Sequence, residues 1–178
     1  ELSEVMKNPK KPFVIILGGL KIKDKMPVYQ NLKKVANLFL IGGALTPWLI
    51  LLKTWDQKLK AGNLIFPIDF KNEGENIRDI GSESIKLFKK KIKIAKTIIW
   101  NGLLGNIGKK KFQKGTLEIT KAISANKKAF KVVGGGETVM FLKKLKLDKK
   151  INFVSTGGGA MLDFLAGKEL PGIIALEK

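Results

Sequence analysis

Two stretches of this chain hold residue types that suit phosphate chemistry. The first is Lys131-Val132-Val133-Gly134-Gly135-Gly136-Glu137-Thr138. Two β-branched residues run into three glycines, and an apolar segment from Val139 to Leu147 follows the acid and the threonine. That pattern predicts strand, tight turn and helix start. Glycine lets another group approach with no Cβ in the way. The helix that follows presents unpaired N–H groups and a partial positive charge at its first turn. Such a turn suits a phosphate or a carboxylate. Glu137 adds a negative charge there, which points to a metal ion or hydroxyl between it and a phosphate; equally, it answers the helix dipole. The second stretch is Gly18-Gly19-Leu20-Lys21-Ile22-Lys23-Asp24-Lys25. Lys21 and Lys25, four apart, share one face of a helix start. Two ammonium groups beside a glycine turn suit a polyphosphate; an ordinary solvated helix face is the alternative.

The elements that must hold these turns follow one repeated pattern of apolar run, break and amphipathic stretch. Strands are expected at Phe13–Leu17, Asn37–Ile41, Leu64–Ile68, Thr97–Trp100, Phe130–Val133 and Ile151–Ser155. Helices are expected over Lys21–Lys34, Pro47–Lys60, Ser82–Lys93, Lys111–Ala125 and Ala160–Leu165, with proline favouring a first turn at Pro47. Lys71–Asp79, polar and holding Gly74 and two asparagines, reads as a loop. The strands are near-continuous apolar runs, the mark of strands buried on both faces. Strand–helix alternation then predicts a three-layer, Rossmann-like α/β fold with a six-stranded, mostly parallel sheet. Ligands of such sheets bind beyond the carboxyl ends of the strands. The turns at Gly18-Gly19, Gly42-Gly43, Gly102 to Gly105, Gly134 to Gly136 and Gly157 to Gly159 all fall on that edge. Neither a Walker A loop nor a dinucleotide Gly-x-Gly-x-x-Gly turn is present.

Composition narrows the chemistry. The chain has 178 residues, 44% of them hydrophobic, enough for one domain with a core. It has no cysteine and no histidine, which excludes thiol and serine–histidine hydrolases and leaves oxygen ligands for any metal, as magnesium prefers. The net charge is +19, yet Arg78 is the one arginine. Base readout favours arginine forks, so no specific nucleic acid is expected, although weak, salt-sensitive binding to polyanions is. The longest apolar runs, near Leu38 to Leu52, are interrupted by glycines and a proline and do not read as a membrane span. The chain does not begin with methionine, which suits a fragment or a chain whose ends are not included.

In order, Pro12-Phe13 with Gly18-Gly19-x-Lys21-x-x-Asp24-Lys25, Ile41-Gly42-Gly43, Asp79-Ile80-Gly81 and Trp100-Asn101-Gly102 resemble phosphoglycerate kinase. So do Phe112 with Gly115-Thr116, Gly134-Gly135-Gly136, Ser155-Thr156-Gly157-Gly158-Gly159-Ala160 and Gly167-Lys168-Glu169-Leu170-Pro171-Gly172. The resemblance covers residues 9–178 and implies the carboxy-terminal, nucleotide-binding domain; residues 1–8 resemble the end of the helix that joins the family's two domains. It implies ATP or ADP with Mg2+, a missing amino-terminal phosphoglycerate-binding domain as partner, a cytoplasmic monomer, and glycolytic phosphoryl transfer between 1,3-bisphosphoglycerate and ADP.

Carried over by position, the resemblance implies that Lys21 contacts the transferring phosphoryl group and that Gly157, Gly158 and Gly159 stabilise its charge. Gly18 and Gly19 form the first turn, and Lys25 contacts the nucleotide phosphates. Gly42, Gly43 and Gly81 line the adenine pocket. Asn101 and Gly102 lie near the phosphates. Gly134, Gly135, Gly136, Glu137 and Thr138 hold the phosphate chain, with Glu137 on the magnesium. This chain also departs from the pattern. Glu137 stands for an aspartate, Gly108 for the glutamate that grips the ribose, Leu103 for a proline, Ala44 for a glycine and Ser82 for a proline. The stretches between Trp48 and Leu64 and between Asp69 and Asp79 are short. A second reading therefore stays open: a degenerate, non-catalytic relative acting as a binding or structural component, on RNA or another polyanion.

Overall fold

Alternate residues of β1 (Phe13–Leu17) serve opposite faces of one sheet. Phe13, Ile15 and Leu17 enter one apolar cluster, and Val14 and Ile16 enter another, all almost fully buried. A strand covered on both sides has no polar face, and its sequence shows no alternation. The computed structural model describes residues 2–43, 45–47 and 63–169. After α1 (Leu2–Lys7) and β1 come α2 (Ile22–Leu32), β2 (Leu38–Ile41), β3 (Leu64–Ile65), β4 (Phe70–Glu73) and β5 (Asn76–Ile80). Then follow α3 (Ser82–Ile94), β6 (Thr97–Asn101), α4 (Lys114–Ala125), β7 (Phe130–Gly134), α5 (Gly136–Lys144), β8 (Phe153–Ser155) and α6 (Gly158–Leu165). Six strands form a sheet in the order β3-β2-β1-β6-β7-β8, every neighbouring pair parallel. Helices α2 and α6 cover one face, with Val28, Leu32, Met161 and Leu165 in the core. Helices α3, α4 and α5 cover the other, with Phe88, Ile123 and Leu142. This is the expected three-layer α/β fold.

Four expectations need correction or trimming. Lys71–Asp79 is not a loop: β4 and β5 form an antiparallel hairpin turning at Gly74, whose φ is 59°. Its strands are only partly buried and mix polar residues with Phe70, Ile77 and Ile80, so they lack the continuous apolar run that marked the others. The third strand ends at Ile65 because Pro67 has no N–H, and Ile68 and Asp69 donate instead to the Ser84 hydroxyl. The helix expected over Lys111–Ala125 divides into a 3-10 turn, Lys110–Phe112, and α4. Strands β2 and β8 each start one residue or more late, after an asparagine. Asn37 and Asn152 pair through backbone N–H and side-chain carbonyl with Phe13 and Lys131 of the neighbouring strand. Residues 45–47 are helical. The rest of the helix expected from Pro47 to Lys60, Ala44, and the closing Leu170-Pro171-Gly172 lie outside the described residues.

The hairpin is tied down by a buried acid. Asp79 is fully buried, and its carboxylate accepts from the Gly115 and Ile80 N–H groups. Its oxygens lie where a Cβ on Gly105 or Gly115 would sit, 2.2 Å away in each case, which explains both glycines. Burial pushes its pKa up from 3.8 to about 6, against the two backbone hydrogen bonds and the more distant charge of Lys71. The folded state thus holds this proton more tightly than the unfolded chain. Between about pH 4 and 6 the native state binds the extra proton, so the Asp79 contribution to stability is present at the acidic end and lost as pH rises. Urea unfolding across that window should show the stability of the native sequence falling with rising pH relative to Asp79→Asn.

Candidate functional site

Three loops at the carboxyl ends of β1, β2 and β6 are hydrogen-bonded to one another through their backbones. Gly18 N–H donates to the Asn101 carbonyl (2.9 Å), Gly19 N–H to Leu103 (2.8 Å) and Gly43 N–H to Leu104 (3.1 Å). A Cβ on Gly18 would stand 2.2 Å from the Leu103 carbonyl oxygen. One on Gly102, at φ 94°, would stand 2.3 Å from the Gly18 oxygen. One on Gly43 would meet the Leu103 oxygen at 2.8 Å, and one on Gly42 would meet the Leu104 side chain at 2.3 Å. These glycines serve the approach of loop to loop. The Trp100 indole N–H closes the last loop on the Gly102 carbonyl, and Gly102 N–H donates to the Thr138 hydroxyl of α5.

The turns ahead of α5 and α6 are built differently. Gly135, at φ 97°, is the N-cap of α5, and Gly157 is the N-cap of α6; neither helix start has a side-chain cap. A Cβ on Gly158 would lie 2.8 Å from the Gly135 Cα, so the two turns touch. Gly134 packs on the Met161 sulfur of α6. By contrast, a Cβ on Gly136 or Gly159 would meet nothing within 4 Å. Two helix N-termini therefore meet side by side with open space before them, and their first N–H groups point to that space.

Three side chains complete this edge. Asn101, 2% exposed at the end of β6, has its Nδ2 about 3.5 Å from where a Cβ of Gly134 or Gly135 would stand. That buried nitrogen has no hydrogen-bond partner among the described residues. An unpaired buried donor of this kind costs about 1–3 kcal/mol. Lys25, on α2, is 8% exposed and has no ion pair among the described residues. Burial pushes its pKa down, partly offset by Asp24, while Lys21 adds to the fall. Lys21 is the exposed N-cap of α2, again without a side-chain cap. A buried amide donor, a buried unpaired ammonium and uncapped helix starts have one chemistry in common: they fit an anion with several oxygens.

A cleft of about 670 Å³ opens beside these turns. Its floor is Gly19, Leu20, Gly43, Leu103 and Gly105. One wall is Glu137, Met140, Phe141 and Lys144, a single face of α5 at helical spacing. The other wall is Ile77 and Arg78 of the hairpin with Asn106, Ile107, Gly108 and Gln113. Glu73 clips the hairpin to the 109–111 segment through Lys109 (2.8 Å) and Lys111 (3.0 Å), which hold its carboxyl down at about 2. The Asn106 N–H donates to the Arg78 carbonyl. Apolar walls with amides at one end suit a flat heterocycle. The exposed Glu137 carboxylate, on the side of the helix starts, suits a cation shared with phosphate oxygens. Among the described residues no group of three acids could cage a metal by itself.

Of the residues singled out in the sequence, Gly19, Gly43, Gly108 and Glu137 line the cleft. Gly18, Gly42 and Gly102 lie in the loop lock beneath it. Lys21, Lys25, Asn101, Gly134, Gly135, Gly136, Thr138, Gly157, Gly158 and Gly159 belong to the carboxyl edge alongside. Gly81 is placed elsewhere: it precedes α3, where a Cβ would strike the Asp69 carboxylate at 2.2 Å. Sequence reading missed Ile77 and Arg78, since the hairpin was invisible to it. It also missed Met140, Phe141 and Lys144, although their spacing from Glu137 marks one helix face.

A family model described as phosphoglycerate kinase matches residues 1–63 and 53–168. The two matched segments meet within the stretch read above as shortened. The phosphoglycerate kinase of Mycoplasma genitalium is 34% identical over 217 aligned positions, covering 99% of this chain and 53% of the relative. That of Lactobacillus delbrueckii subsp. bulgaricus is 38% identical over 97% of this chain and 51% of its own length. Among solved structures, phosphoglycerate kinase from Coxiella burnetii superposes with a TM-score of 0.86 at 28% identity, over 99% of this chain and 55% of its own. The enzyme from Pyrococcus horikoshii gives the same values. The chain spans about half the length of the curated relatives it matches.

The two classes of glycine separate in a stability measurement. Gly102→Ala, which meets backbone and a left-handed φ, should lose about 2 kcal/mol or more in urea unfolding. Gly136→Ala and Gly159→Ala, with open space around them, should stay within about 0.5 kcal/mol of the parent.

Proposed function

The chain belongs to the phosphoglycerate kinase family, and we propose that it is the nucleotide-binding half of such an enzyme. Residues 9–178 hold magnesium-bound ATP or ADP, and residues 1–8 end the helix leading from an amino-terminal phosphoglycerate-binding domain. The joined protein passes a phosphoryl group between 1,3-bisphosphoglycerate and ADP. The observation that carries this reading is the buried Asn101 amide, unpaired and aimed at the junction of two uncapped helix starts.

In this reading the base lies between the α5 wall and the hairpin wall of the cleft. The phosphate chain runs past Glu137 toward the helix starts. Gly136 and Thr138 of α5 receive it, Asn101 donates its free N–H to it, and Lys25 neutralises it from α2. Lys21, exposed at the N-cap of α2, reaches the transferring phosphoryl group. Gly157, Gly158 and Gly159 offer the first N–H groups of α6 to its developing charge. Glu137 would hold magnesium, which when bound would supply charge neutralisation to the phosphates. The rest is positioning, and phosphoryl transfer of this kind needs no histidine or cysteine from the domain.

Isothermal titration of magnesium-ADP into the chain tests the reading. Binding in the micromolar to millimolar range is expected, weakened tenfold or more in Lys25→Ala, where a charge-assisted contact of about 1.5–3 kcal/mol is lost. Absence of binding would favour the non-catalytic reading, which Gly108 at the cleft wall supports by leaving no carboxylate there for ribose hydroxyls. The same position offers a converse test. A Cβ on Gly108 meets only the Asn106 Oδ1, at 3.1 Å, so a longer side chain is admitted once the exposed Asn106 amide gives by a few tenths of an ångström. Gly108→Glu should tighten magnesium-ADP binding about tenfold. Joined to an amino-terminal domain, the chain should convert 1,3-bisphosphoglycerate and ADP, measured by ATP formation.

A further inference from the structure

The opposite edge of the sheet, at the amino ends of the strands, carries a row of lysines that the nucleotide site does not use. Among the described residues, the segments leading into five of the sheet strands each bring a pair: Lys33 and Lys34 before β2, Lys10 and Lys11 before β1, Lys93 at the end of α3 and Lys96 before β6. Lys127 and Lys128 precede β7, and Lys149 and Lys150 precede β8. All ten are exposed, and none forms an ion pair among the described residues. The one acid in these loops is Asp148. Lysines in a last helical turn answer the helix dipole, but that does not call for a pair ahead of five strands.

The row is held in place. Asn37 N–H donates to Phe13, Lys96 N–H to Pro12, Phe130 N–H to Lys96 and Asn152 N–H to Lys131, so neighbouring loops are joined through their backbones. Adjacent strands lie about 4.8 Å apart, and the five loops thus span roughly 19 Å. Behind them Lys131 is 7% exposed and unpaired among the described residues; burial lowers its pKa and the charge of Lys150 adds to the fall. The edge has more positive charge than the protein itself balances.

We propose that this edge is a docking surface for a nucleic-acid strand, gripped by its phosphodiester backbone without base readout. A linear polyanion matches a linear row one loop deep. Lysines are point charges that suit phosphate and do not form the bidentate forks that read bases. An anionic membrane is the weaker match, since Ile94 is the one large apolar residue exposed here among the described residues and interfacial binding needs buried apolar area. The surface lies at the far edge from the cleft, so the two are free to be occupied together.

Fluorescence anisotropy with a labelled oligouridylate of about 20 nucleotides tests this on the full chain, titrated between 50 and 200 mM salt. Two variants of equal charge are compared: Lys11, Lys34, Lys96 and Lys128 each to Glu, against Lys90, Lys110, Lys114 and Lys143 each to Glu, with thermal melts to confirm folding. The first should weaken binding at least 30-fold and flatten the salt slope by about 3, at roughly 0.7 per lost contact. The second should weaken it less than threefold. Equal losses in both, no RNA binding at 100 mM salt, or tighter edge-dependent binding to phosphatidylglycerol vesicles than to RNA would each overturn the proposal.

Discussion

The backbone lock between Gly18-Gly19, Gly43 and the 101–104 segment is the contact on which the carboxyl edge depends. Loop amides elsewhere seek water or side-chain caps. Here three loops satisfy one another, because glycine lets their chains approach within hydrogen-bonding distance. Trp100, Thr116 and Thr138 side chains fix the 102–105 segment further. Asn101, Lys25 and the first turns of α5 and α6 are left unclaimed, as a binding surface requires. Thr138 extends the lock to α5, so the helix start and the loop after β6 keep one fixed relation.

The cleft depends on a second constraint, farther from the turns. Its outer wall is a short, half-buried hairpin of which Ile80 alone enters a buried apolar cluster. Asp79 anchors its second strand to the start of α4, while Asp69 receives the Ser84 and Glu83 N–H groups at the start of α3. Two acids thus supply what hydrophobic packing does not. One is buried at a cost that depends on pH; the other lies at the hairpin's entry. Glu73 adds surface ion pairs to Lys109 and Lys111, which matter more for closing the wall than for stability, since solvent screens exposed pairs.

Parallel topology also sorts charge between two edges. The carboxyl edge presents helix N-termini, and of its lysines Lys109 and Lys111 are paired with Glu73. The amino edge presents helix C-termini and, among the described residues, lysine pairs ahead of five strands, none of them in an ion pair. A net charge of +19 is therefore not a uniform coat.

By itself the sequence determined the layered parallel fold, the glycine turns and the edge on which they gather. Those features follow from local pattern: doubly buried strands are continuously apolar, and turns need glycine. Lys21, Lys25, Asn101 and Glu137 were also legible, because their spacing from a turn places them at a helix start or strand end. Tertiary structure alone decided which glycines are architectural. Gly18 and Gly102 are consumed by contacts between loops more than eighty residues apart, whereas Gly136 and Gly159 face open space, and nothing local distinguishes them. It alone revealed the β4–β5 hairpin, whose half-buried strands mix polar and apolar residues, and Gly81 as a neighbour of Asp69. It alone aligned ten scattered lysines into one row, since strand order β2-β1-β6-β7-β8 is not sequence order.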